Sequence, residues 1–122
     1  MRGKSKSAKN ALTFSLLILF NERRPVVLES KFQADLIKDI KNMFPGCVVM
    51  KNDSSYIQGI PDLLVLYNDR WASLECKKSE GARKQPNQEY YVEKLDSMSF
   101  SRFIFPENKE EVLRELQSAF QA

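Results

Sequence analysis

The chain has 122 residues, 43% of them apolar and 29% charged, enough for one domain with one hydrophobic core and too apolar for disorder outside the termini. It contains no histidine, which excludes Ser-His-Asp triads, Cys-His pairs and His-ligated zinc. The net charge of +3 is unevenly spread. Residues 1–24 carry Arg2, Lys4, Lys6, Lys9, Arg23 and Arg24 against Glu22 alone, whereas from Pro25 onward acids outnumber bases by 15 to 13. The positive balance is that of a basic N-terminal extension, 1–24, in front of a single domain, 25–122.

Within the extension, Ala11–Phe20 is an apolar run behind basic residues, as in a signal peptide. No small-residue cleavage site follows it, and it falls short of the roughly 20 residues a membrane span needs. A segment packing on the body or on a second copy fits better, with no stable membrane association and a cytoplasmic location. Cys47 and Cys76 are the only cysteines, too few for a Cys₄ site. Both lie in apolar, strand-like surroundings, so they are expected to be reduced.

Pro25 leads into a helix expected over Leu28–Phe44, where Phe32, Leu36, Ile37, Ile40, Met43 and Phe44 recur at helical spacing. Pro45-Gly46 stops it. A short strand, Cys47–Lys51, follows, then a polar loop from Asn52 to Gly59 containing Tyr56. Asp62–Tyr67 is apolar on both faces after its first residue, which predicts a central strand covered on both sides. Asn68-Asp69-Arg70 is a turn, so Trp71–Lys77 returns antiparallel, with Ala72, Leu74 and Cys76 on one face and Trp71, Ser73, Glu75 and Lys77 on the other.

A loop over Lys78–Gln85 precedes a second helix, with Pro86 in its first turn and Tyr90 and Leu95 turned to the core. Ser101–Phe105 is a strand. Asn108 is expected to cap a last helix, with Glu111 completing a capping box and Val112, Leu113, Leu116 and Phe120 as its apolar stripe. The body therefore reads as an αβββαβ arrangement, a mixed sheet flanked by helices, with a C-terminal helix added.

The chemistry concentrates in Gly59-Ile60-Pro61-Asp62 and, thirteen positions after the aspartate, Glu75-Cys76-Lys77. Strand alternation puts Glu75 and Lys77 on one face, and a hairpin of this length brings Glu75 beside Asp62. Two carboxylates are a common protein contribution to a Mg²⁺ site, the remaining positions going to water and phosphate. Lys77 would orient a water and stabilise an anionic transition state. The same residues also fit a turn and a salt-bridged strand face. Lys78, Arg83 and Lys84, in a loop with four bases, suit a clamp on a phosphate backbone, with Lys51 and Asn52 beside them.

Pro61-Asp62 and Glu75-Cys76-Lys77 resemble the motif of the PD-(D/E)xK nuclease superfamily, and more narrowly its VRR-NUC branch of phage and bacterial nucleases, close to Holliday-junction resolvases. Glu29 and Gln33 one turn apart, Gly59-Ile60-Pro61-Asp62-Leu63, and Gln88 at the start of a helix are the further matches, over roughly Leu28 to Phe105. The resemblance implies a restriction-endonuclease-like core and a Mg²⁺-dependent endonuclease, Mn²⁺ substituting, that cuts branched or junction DNA. It implies a catalytic set of Asp62, Glu75, Lys77, Glu29 and Gln88, with Asp62 and Glu75 holding the metal. A homodimer through Leu12–Phe20 would present two such centres. The competing readings are a nickase or exonuclease on single or damaged strands, a non-cleaving nucleic-acid-binding module, and a membrane-associated or secreted protein.

Overall fold

The computed structural model describes residues 25–122. The run Leu12–Phe20, and the dimer interface expected of it, lie outside the described residues. Helix α1 (Pro25–Met43) starts earlier than expected because proline suits the first helical position, where its missing N–H costs no bond. Phe32, Leu36, Ile40 and Phe44 recur every fourth residue and are all buried, and this stripe seats the helix on the sheet. The helix ends where Gly46 adopts a φ of +90°, a conformation that costs a side-chain-bearing residue more than glycine.

Three antiparallel strands follow in sequence: β1 (Val48–Lys51), β2 (Leu63–Tyr67) and β3 (Arg70–Cys76). The β2–β3 connection is a two-residue turn in which Asn68 has a φ of 55°. Asparagine tolerates this left-handed conformation, which tight hairpin turns require. Helix α2 (Pro86–Met98) then crosses over, so that β4 (Phe100–Ile104) pairs parallel to β3. Helix α3 (Lys109–Gln121) ends the chain. The result is a mixed four-stranded sheet in the order β1-β2-β3-β4, flanked by three helices.

The core lies on one side of the sheet. Leu63, Val65, Ala72, Leu74, Cys76 and Ile104 meet the α1 stripe and Val112, Leu113, Leu116 and Phe120 of α3. Phe44, Tyr67 and Phe120 close its far end as a cluster of tilted rings, 5.0 to 5.6 Å between centroids. Helix α2 packs on the opposite face over β3 and β4 and contributes no buried residue. There Ser73 and Ser101 join neighbouring strands through a 2.7 Å hydroxyl pair.

Three expectations are corrected. Among the described residues, β2 is fully covered on one face only: on the other, Leu64 is half-buried and Leu66 exposed, beside Val48 and Met50 of β1, because α2 packs over β3 and β4. Tyr90 faces outward and stacks edge-on against Tyr91, since α2 rests on the sheet by only part of its face. Asn108 occupies the N-cap position of α3 without making the cap bond. Its side chain turns back instead, accepting from the Phe105 N–H at 2.9 Å and donating to the Phe103 carbonyl at 3.1 Å, which ties the end of β4 to the helix.

The loop between β1 and β2 is tightly organised. The Asn52 amide donates to the Pro61 carbonyl at 2.8 Å, and the Asn52 backbone N–H donates to the Asp62 carbonyl at 2.8 Å. Gly59, at a φ of +92°, lies so close to α2 that a β-carbon would come within 2.8 Å of the Asn87 carbonyl carbon. Gly59→Ala is therefore expected to cost on the order of 2 kcal/mol, from backbone strain and the clash together. Urea unfolding with an unchanged slope and a lowered midpoint would show it, and an unchanged midpoint would mean that the loop is not held against α2.

Candidate active site

The β2–β3 register, continued one step past Leu63 and Leu74, sets Asp62 directly opposite Glu75. Each carboxylate is held by the other strand's backbone. Asp62 Oδ2 accepts from the Cys76 N–H at 2.9 Å, and Glu75 Oε1 accepts from the Asp62 N–H at 3.2 Å. The strand ladders end here, so these N–H groups are free to bind side chains. Buried Pro61 fixes the chain entering Asp62.

Gln88, in the first turn of α2, joins the cluster together. Its Nε2 donates to Glu75 Oε2 at 2.9 Å, and its Oε1 accepts from Lys77 Nζ at 2.8 Å. The same oxygen accepts from the Gln85 backbone N–H at 3.0 Å, so the bond that closes the start of the helix also fixes the amide's orientation. Lys77 Nζ stands 3.9 Å from Glu75 Oε2. The Lys77 backbone N–H donates to the Ile104 carbonyl at 2.9 Å, which extends the pairing with β4 and anchors the base of the side chain.

The electrostatics are those of negative charge lacking enough positive charge. Glu75 is 4% exposed. Burial, and then the facing Asp62 carboxylate, push its pKa up to about 8, against the opposing pull of Lys77. Burial also raises Asp62, opposed by the Cys76 N–H and by Lys77. One ammonium does not compensate a buried and a half-buried carboxylate side by side, and a divalent cation held by them would. The donor set fits Mg²⁺, which is held through one or two carboxylates with water and phosphate oxygens filling the remaining positions. Among the described residues, no group of three or more His, Cys, Asp or Glu side chains is arranged to hold a metal ion, so an all-protein cage is not what this site offers.

The structure brings together four of the five catalytic candidates, Asp62, Glu75, Lys77 and Gln88. The fifth, Glu29, is half-buried on α1, and its charge adds to the upward pressure on both Glu75 and the Cys76 thiol. The Gln33 amide sits against that thiol, which burial drives up to about 12. Cys76 is thus an inert packing residue and no nucleophile. Cys47 is also a free thiol.

The nucleic-acid candidates fare unevenly. Lys78 and Arg83 are exposed in the loop leading from β3 to α2, free to meet a ligand. Lys84 is exposed too, with its ammonium 4.9 Å from the centre of the Phe103 ring. Asn52 is half-buried and its amide holds its own loop through the Pro61 carbonyl. Lys51 pairs with Leu63, on the α1 side of the sheet, whereas the carboxylates alternate onto the other side. Sequence reasoning missed Gln85, whose backbone fixes Gln88. The signal was a polar residue before Pro86 with a glutamine at the third helical position.

No protein-family model, curated protein or solved structure matches the chain. Among the described residues, no helix is long and apolar enough to cross a membrane.

The pH behaviour follows from Glu75. In the folded chain it keeps its proton up to about 8, whereas unfolded it ionises above about 4.5. The folded state therefore binds more protons across that window, and stability falls as pH rises through it. In EDTA, the thermal midpoint is expected to drop by several degrees between pH 5 and pH 8.5, and Glu75→Gln is expected to flatten the drop. Parallel curves for the two proteins would mean that another group titrates.

Proposed function

We propose that the chain is a Mg²⁺-dependent nuclease with a restriction-endonuclease-like core, hydrolysing DNA phosphodiesters at the Asp62–Glu75–Lys77 cluster. The observation that carries this is the pairing of a buried and a half-buried carboxylate, Glu75 and Asp62, across a hairpin, with Lys77 joined to Glu75 through Gln88. The residue pattern resembling PD-(D/E)xK nucleases supports the same reading, and branched or junction DNA is the substrate that resemblance implies.

Asp62 and Glu75 would hold the metal, which supplies polarisation of a phosphoryl oxygen and a lowered pKa for water at the site. The chain's own residues supply the positioning. The backbone N–H groups of Asp62 and Cys76 fix the carboxylates, so little reorganisation is needed. Lys77, with its side chain 11% exposed, carries a largely shielded ammonium whose charge is worth more than a fully solvated one's. Held by Gln88, it can orient a water toward a phosphate or stabilise the charge that develops in the transition state. Gln88 is a positioning residue, setting Lys77 and Glu75 relative to each other. Exposed Lys78 and Arg83 lie along the chain from Lys77, where contacts to flanking phosphates would add affinity without sequence preference.

Asp62→Asn and Glu75→Gln are each expected to abolish cleavage while leaving DNA binding within a few-fold, since each removes a metal-binding charge at nearly constant shape. Wild-type rates in either variant would overturn the metal assignment. Lys77→Ala is expected to lose about a hundredfold or more in rate, and Lys78→Ala only a few-fold. Their comparison in one cleavage assay separates a positioned ammonium from general positive charge, and equal losses would contradict the role given to Lys77.

A further inference from the structure

A polar groove of about 440 Å³ runs between the β1–β2 loop and the start of α2 and ends at Gln88. Ser54, Ser55, Gln58, Gln85, Asn87 and Gln88 line it, and none of these side chains is charged. Gln58, Asn87 and Ser54 make no side-chain hydrogen bond with another described residue, so their donors and acceptors face the groove or solvent unpaired. The walls are nonetheless rigid. Gly59 holds the loop in van der Waals contact with Asn87. Asp53 caps the loop's turn, accepting at one carboxylate oxygen from both the N–H and the hydroxyl of Ser55 at 2.9 and 2.6 Å.

On that turn, next to Ser55, stands Tyr56. Its backbone N–H is tied to the Asp53 carbonyl at 3.1 Å, yet its side chain is 85% exposed. Ile57 beside it is exposed as well. An aromatic ring presented to water on a fixed turn contributes nothing to the core, and loops of this kind are where binding residues concentrate.

The groove and the ring suit one kind of ligand. A phosphate would call for lysine or arginine, and neither is among the lining residues. Neutral amides and hydroxyls instead match the mixed donors and acceptors on the edge of a nucleobase. An exposed aromatic ring is a stacking platform for its flat face. A base inside a duplex has its face stacked and its pairing edge occupied, so only an unpaired base can use both features. The groove's volume lies within the range of small-ligand sites, about 300–1,000 Å³.

We infer that Tyr56 and the groove between Gln58 and Asn87 receive an unpaired nucleotide of the DNA strand being cut, and so direct the site to strands that are single or locally open. This rests on the nuclease reading and narrows it. Gln88 lines the groove and also holds Glu75 and Lys77, so a base seated there lies next to the phosphate at the site. Selectivity for branched or open DNA then needs no separate reading domain.

Binding can be measured apart from cutting, using the full chain carrying Asp62→Asn and fluorescence anisotropy. Three labelled DNA probes serve: a single strand, a duplex with a one-nucleotide bulge, and a fully paired duplex. Adding Tyr56→Ala is expected to weaken binding to the first two about tenfold, the loss of one base–aromatic stack, and to leave the paired duplex unchanged. Tyr56→Phe keeps the ring and is expected to retain wild-type preference. Because Tyr56 is 85% exposed, these variants are expected to keep the fold. An equal loss on all three probes, or no loss on any, overturns the inference while leaving the nuclease reading intact. A wild-type chain that binds none of the probes and cuts none in Mg²⁺ overturns both.

Discussion

Asp62 and Glu75 face each other across the β2–β3 hairpin, two carboxyl groups drawn wholly or partly out of water at directly opposed positions. Such a pair is unfavourable in itself, since burial and mutual repulsion both resist ionisation. The surrounding structure moderates that cost with hydrogen bonds. A two-residue turn at Asn68-Asp69 sets the register, and Pro61 and Asn52 fix the chain entering Asp62. The ends of the strand ladders leave two backbone N–H groups that would otherwise lack partners. A slip of one residue would put Asp62 or Glu75 into the apolar layer under α1.

The sheet separates stability from chemistry. The α1–α3 side holds nearly all the buried apolar side chains, while α2 on the other side buries none. What α2 contributes is position: its first turn carries Gln88 to the carboxylates and Lys77, and Gly59 lets the β1–β2 loop close against it. The site is thus assembled from the end of one hairpin and the start of one helix, on rigid elements backed by a packed core. Loose packing of α2 is affordable because Gln88 is held by three hydrogen bonds of its own.

Much of this arrangement can be read from sequence, for reasons particular residues make plain. The αβββαβ order and the last helix follow from hydrophobic periodicity, and the pairing of Glu75 with Asp62 follows from hairpin length and strand alternation. Periodicity fails where burial depends on what lies above a strand. Leu64 and Leu66 look as apolar as Leu63 and Val65, but α2 stops short of the β1 edge. It fails again at Tyr90, because an amphipathic pattern does not reveal how far a helix stands off its sheet. Asn108 sits where a cap is expected, yet its amide finds two better partners at the end of β4. The roles of Gln85 and Asn52 depend on loop geometry, which strand and helix periods do not encode.

On the proposed function, the opposed carboxylates would take up a divalent cation that supports hydrolysis of a DNA backbone. The most direct measurement is incubation of the full chain with labelled four-way junction, flap, duplex and single-stranded DNA, in Mg²⁺, in Mn²⁺ and in EDTA. The account predicts cleavage in both metals and none in EDTA, fastest on the substrates that contain unpaired nucleotides. Cleavage undiminished by EDTA, or intact DNA under every condition, would contradict it.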